Sequence, residues 1–75
     1  MDKKYILENA IVTNMGLSKE DSNLTLFDVH LDDKKYRYGI GISLKTGLSR
    51  VDGMNDEEQS KLVLEENAED ILNKQ

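Results

Sequence analysis

Between Leu24 and Leu44 apolar side chains recur at every second residue, a period that belongs to β-strand, where successive side chains point to opposite faces. Thr25, Phe27, Val29 and Leu31 alternate with Leu24, Leu26, Asp28 and His30. Tyr36, Tyr38, Ile40, Ile42 and Leu44 alternate in turn with Arg37, Gly39, Gly41 and Ser43. Two antiparallel strands joined at Asp33-Lys34 bring both apolar parities to one side of the ribbon. Asp32 then faces Lys35, Leu31 faces Tyr36, Val29 faces Tyr38, Phe27 faces Ile40 and Thr25 faces Ile42. A slip of one residue would mix the faces, so burial of one side specifies the parity.

The remaining segments are placed against this hairpin, and the expected fold is α+β: a three- or four-stranded antiparallel meander with a C-terminal α-helix packed on one face, in a single domain over 1–75. Residues 4–13, rich in β-branched and aromatic side chains, read as a first strand with apolar residues on both parities, so it is either covered on both faces or bulged. Met15 to Asn23 is a polar connection of turn-forming Ser, Asp and Asn. The hairpin strands span about 24–32 and 35–45, and Leu48 to Val51 is a short further strand ending at Asp52-Gly53. A helix covers about 56–73. Asn55 is its N-cap, Glu58 completes a capping box, and Asp56 and Glu57 sit at the positive end of the dipole. Leu64, Ala68, Ile71 and Leu72 form its apolar stripe. Leu62 falls off that stripe, which points either to a break near Asn67 or to contact of Leu62 and Val63 with another chain.

At 75 residues the chain is near the lower size at which a core alone offsets chain entropy, which leaves a homo-oligomer open. There is no cysteine, hence no disulfide framework, thiolate metal site or cysteine nucleophile, and a reducing cytoplasm is the expected compartment. Tyr5-Ile6-Leu7 is cut off at Glu8, and no apolar run reaches the length of a membrane span or a signal-peptide core. Residues 1–50 hold eight Lys/Arg and seven Asp/Glu, whereas residues 51–75 hold two and eight, so the net charge of −5 resides at the C-terminal end. Direct binding to a nucleic-acid backbone, which depends on Lys and Arg neutralising phosphates, is disfavoured. An acidic surface suits a basic protein partner.

Three residue sets carry candidate chemistry. Asp56, Glu57, Glu58, Glu65, Glu66, Glu69 and Asp70 place carboxylates along the helix, where they form either a solvated face or a mimic of the phosphates that a nucleic-acid-binding protein grips. Asp28, His30 and Asp32 share one strand face; an imidazole between carboxylates suits a divalent cation, but Arg37, expected across from His30, already supplies a cation there, and no metal or other cofactor is expected. Gly39 and Gly41 bare the outer strand face over Leu24 and Leu26, an arrangement that fits close packing or a ligand. Catalysis has no support: the serines have only His30 as a base, and Lys45-Thr46-Gly47 lacks a glycine-rich phosphate cradle.

Tyr5-Ile6-Leu7-Glu8-Asn9-Ala10-Ile11-Val12-Thr13, Met15-Gly16-Leu17, Glu20-Asp21, Leu24-Thr25-Leu26 and Tyr38-Gly39-Ile40-Gly41 stand in an order and spacing similar to a group of small tailed-phage proteins. The resemblance covers residues 5–44, with Ser22-Asn23 where the group commonly has His-Gly. It implies an accessory phage or prophage protein, a class that includes many inhibitors of host defence. The expectation is a non-enzymatic binding protein in the bacterial cytoplasm that blocks a host protein, anti-CRISPR-like or otherwise anti-defence, through the helix carboxylates. One alternative is an oligomeric sponge for a nucleotide-type ligand, held over Asp28, His30, Arg37, Gly39 and Gly41. Another is a structural phage component.

Overall fold

The computed structural model describes residues 1–75 as α1 (Lys3–Asn9), β1 (Ile11–Leu17), β2 (Thr25–Leu31), β3 (Lys34–Ile40) and α2 (Asp56–Asn73). The strands form one antiparallel sheet in the order β1-β2-β3. The fold is thus α+β, a three-stranded meander with a C-terminal helix, joined by a second, shorter helix at the other end of the chain.

β2 is the central strand, and its odd-numbered residues Thr25, Phe27, Val29 and Leu31 are all buried. Against them pack Val63, Leu64, Ala68 and Ile71 of α2, together with Ile6 of α1, Ile40 of β3 and Val51 of the loop that leads into α2. Two adjacent apolar positions, Val63 and Leu64, followed by Ala68 and Ile71, give the helix a buried stripe wide enough to span the sheet face. Leu62 and Leu72 flank that stripe, half-buried. The helix runs unbroken through Asn67, whose side-chain amide donates to the Val63 carbonyl at 2.9 Å. Val63 therefore belongs to the core of its own chain. The expected cap is present: Asn55 Oδ1 accepts from Glu58 N at 2.8 Å, and the Glu58 carboxylate accepts from Asn55 N at 3.5 Å.

The hairpin closes one residue earlier than the alternation predicts, at Asp32-Asp33, so that Thr25 faces Ile40, Phe27 faces Tyr38, Val29 faces Tyr36, and Leu31 faces Lys34. Relative to a turn at Asp33-Lys34 the register moves by two residues and keeps the same faces inward, which is why burial alone does not choose between the two. The turn conformation together with a tertiary contact does choose. Asp32 takes φ 54, a left-handed conformation that Asp tolerates better than most residues, and its carboxylate accepts from Tyr5 Oη at 2.9 Å.

The first expected strand is divided. Asp2 caps a helix by accepting from Tyr5 N at 2.9 Å, and Lys3 to Asn9 are helical; only after Ala10 does the chain become extended. Apolar residues on both parities of 5–13 thus come from a helical turn followed by a strand. Ile6 is fully buried while Tyr5 and Leu7 remain exposed, and α1 packs against α2. β1 does contain a bulge, with Asn14 facing Phe27, Gly16 facing Leu26 and Met15 left over between them. Gly16 there adopts φ 83, which a side chain would strain, and its N–H bonds Asn14 Oδ1 at 2.8 Å. β1 continues to Leu17, so the polar connection is shorter than expected, and Ser18 N donates to Leu24 O at 2.9 Å to close it. The strand expected at 48–51 is reduced to a single bridge between Ile42 and Ser49, and β3 ends at Ile40 rather than 45.

The two readings of residues 3–9 separate experimentally. Ile6→Ala should lower stability by about 2–5 kcal/mol, as for other buried Ile truncations. Leu7→Ala, at an exposed position, should stay within about 0.5 kcal/mol. Urea unfolding followed by circular dichroism checks both; equal costs would contradict the helical assignment.

Candidate protein-binding surface

The helix carboxylates do not form one uniform face, because ion pairs reaching from other elements divide them. Arg50 binds Glu66 through two guanidinium nitrogens, Lys3 Nζ lies 3.9 Å from Glu69, and Asp70 is 3.0 Å from Lys74 Nζ and accepts from Tyr38 Oη at 2.6 Å. The Tyr38 hydroxyl and Lys74 hold the Asp70 carboxyl below its ordinary pKa. Burial, followed by the bond to Asp70, pushes the Tyr38 phenol above its own. Lys74 also lies over the rings of Tyr36 and Tyr38, 5.7 and 5.5 Å from their centroids, so the C-terminal turn of α2 is pinned to β3.

Asp56, Glu57, Glu58 and Glu65 are exposed and have no ion-pair partner. Asp56, Glu57 and Glu58 occupy the first turn of α2 and Glu65 its middle; Asp56 and Glu57 interact favourably with the helix dipole and Glu58 serves the cap. The unneutralised negative charge therefore gathers beside β1 and α1, away from the β3 side of the molecule. Asp56 and Gln59 face Asn14 across a cleft of about 340 Å³, and Asn14 Nδ2 donates to Gln59 Oε1 at 3.0 Å. Glu57, Lys61 and Glu65 border a second cleft of about 480 Å³ floored by Leu7, Ala10 and Leu64. Sequence reasoning missed this pair of clefts because it placed Leu7 and Ala10 on a strand. Asp2 three residues before Tyr5 was the available signal for a helix N-cap.

The outer face of the sheet has other uses for the second set of residues. Asp28 points outward and yet is only 4% exposed, because the Arg37 guanidinium lies over it, with Nε at 2.7 Å and Nη2 at 3.2 Å. The two residues are cross-strand partners in the observed register, and His30 pairs instead with Lys35 and Ile11. Arg37 hydrogen bonding lowers the Asp28 pKa, outweighing the opposing effect of desolvation, and Asp28 raises that of Arg37. Asp28, His30 and Asp32 do not converge, and no three His, Asp or Glu side chains are placed to hold a metal ion. The space above Gly39 and Gly41 is taken by Leu24. A Cβ at Gly39 would lie 3.4 Å from Leu24 Cδ1, and one at Gly41 would lie 3.7 Å from Cδ2. Packing within the chain thus accounts for the bare strand face.

No protein-family model, curated protein or solved structure matches this chain.

The two lowered carboxyl pKa values set the acid limb of stability. Asp28 and Asp70 bind protons more weakly folded than unfolded, so their contributions are complete above the unfolded value of about 3.9 and are lost as pH falls through the folded values below it. Arg37→Met should therefore be less stable than the wild type at neutral pH, with the difference shrinking at an acid pH below about 3.9, as protonation of Asp28 removes the charge that Arg37 meets. Urea midpoints at the two pH values check this; an unchanged difference would mean that the pair does not act through its charge.

Proposed function

We propose that this chain is a small binding protein of a phage or prophage that attaches through the acidic N-terminal half of α2 to a basic surface on a host protein, blocking it. A nucleic-acid-handling defence enzyme, as in anti-CRISPR-like inhibition, is the fitting class of target, because its Lys/Arg groove for phosphates accepts carboxylates held at intervals on a rigid helix. The observation that carries the reading is the division of the carboxylates. Glu66, Glu69 and Asp70 are engaged within the chain, while Asp56, Glu57, Glu58 and Glu65 form no ion pair, with Lys61 the one cation on their cleft. The resemblance of residues 5–44 to small tailed-phage proteins supplies the biological setting. The nucleotide-sponge alternative draws less support, since Arg37 is tied to Asp28 and Leu24 fills the space over the glycines.

Native recovery of the tagged protein from bacterial lysate at moderate salt, with mass spectrometry of proteins and heat-released small molecules, tests the reading. The expected result is a stoichiometric protein partner that dissociates as salt is raised. Joint charge reversal of Glu57 and Glu65, which serve neither the cap nor an ion pair, should weaken that association by tenfold or more, roughly 1.4 kcal/mol, without unfolding the domain. Unchanged affinity at low salt would remove the acidic helix from the mechanism, and a released nucleotide with no protein partner would move the site to the outer sheet face.

A further inference from the structure

β1 and β3 are the two edges of the sheet, and they are finished differently. β3 carries Lys34, Lys35 and Arg37, and charged side chains on an edge strand discourage another chain from pairing with it. β1 has no charged residue in Ile11–Leu17 and exposes Ile11, Met15 and Leu17. Its backbone hydrogen bonds lie within the ladder to β2, apart from the Gly16 N–H turned to Asn14 Oδ1, so the other side of the strand is unpaired. The bulge at Met15 limits the straight part of this edge to Ile11–Asn14.

Alongside that edge run the two clefts between β1, α1 and α2, which share Ser60. The cleft beside β1 is lined by Val12 and Phe27 with Asn14, Gln59 and Asp56, its neighbour is floored by Leu7, Ala10 and Leu64, and their rims hold Asp56, Glu57 and Glu65 against the single cation Lys61. We propose that the free edge of β1 takes up an extended basic segment of another protein as a fourth strand. The added strand gains main-chain hydrogen bonds from Ile11–Asn14, and every second side chain points towards the helices. A Lys or Arg at those positions lays its methylene stem on the apolar floor and carries its charge to the rim carboxylates.

A second copy of the chain is the competing occupant, and charge argues against it. Antiparallel pairing of two β1 strands about Asn14 would bring the acidic rims of both copies together, Asp56 nearest the axis, with only Lys61 to offset them. A basic segment turns the same carboxylates from an obstacle into an attraction. The inference rests on the acidic-surface reading given above and assigns it a place and a conformation.

The test uses the whole chain, isotope-labelled, titrated with an eight-residue peptide of alternating Val and Lys and with its Val-Glu counterpart. The Val-Lys peptide is expected to slow amide exchange at Ile11–Asn14 and to shift the resonances of Leu7 and Ser60, and the Val-Glu peptide to do neither. Asp56→Asn with Glu57→Gln should weaken Val-Lys binding by about fivefold or more, as loss of two charge contacts predicts. Glu20→Gln with Asp52→Asn, an equal change in net charge outside the clefts, should leave it within about twofold. Glu65→Gln repeats the test inside the helix should the double change at the helix start unfold the chain. The assignment is overturned by no shift at millimolar peptide, by shifts confined to other elements, by equal weakening in both double variants, or by β1 protection that grows with protein concentration alone. If β1 is untouched while charge reversal still abolishes partner capture, the edge assignment falls and the acidic-helix reading stands. If β1 binds the peptide but capture ignores charge reversal, the acidic-helix reading of capture falls instead.

Discussion

Burial of Phe27, Val29 and Leu31 against Val63, Leu64, Ala68 and Ile71 is the contact on which the other elements depend, because β2 is the one strand paired on both sides and α2 the one helix that reaches across the sheet. Only ten hydrophobic residues are buried in the 75, so the domain has material for one apolar layer and no more. α1 adds Ile6 to that layer and the loop before α2 adds Val51. The second face of the sheet is covered only in part, by smaller means, and keeps a cleft between Met15, Leu17, Leu24 and Leu26. Arg37 covers Asp28, and Leu24 folds over the two glycines, which need no core of their own.

Features set by neighbouring residues were legible in the sequence, and features set by distant ones were not. The capping box at Asn55 and Glu58 and the bounds of α2 follow from local chemistry and stand as read. The inward parity of β2 and β3 also stands, because only one choice buries Phe27, Val29 and Tyr38 together. The register within that parity depended on which aspartate takes a positive φ, and Asp32 is favoured by a tertiary partner, Tyr5, that the hairpin does not contain. Tyr5-Ile6-Leu7 has a strand-like composition, and its helical state is decided by the Asp2 cap and by the place Ile6 finds beneath α2. Local propensity for β structure gives way there to packing.

The same distinction holds at the candidate surface. That the helix is acidic was visible in residues 51–75 alone. That Arg50 and Lys3 neutralise its C-terminal half was not, because both cations come from segments far off in sequence whose placement depends on the whole fold. Asp28 and Arg37 were assigned to an open ligand face and instead hold each other, since the two-residue shift in register makes them direct neighbours.

The division of charge along α2 bears on how an unguarded strand edge is kept from pairing with its own kind. Charges interact across roughly 8 Å at physiological salt, and Asp56 shares a cleft with Val12, Thr13 and Asn14 of β1. An edge usually protects itself with its own lysines, as β3 does. On β1 the repulsion comes from the adjacent helix, which leaves the strand's main-chain groups and apolar side chains bare. Repulsion of that origin would be selective in a way that a lysine on the strand is not: it opposes a strand that brings acidic neighbours and favours a basic one. In the proposed docking, Glu65 and Asp56 attract a basic strand by the same field that would oppose pairing of two copies.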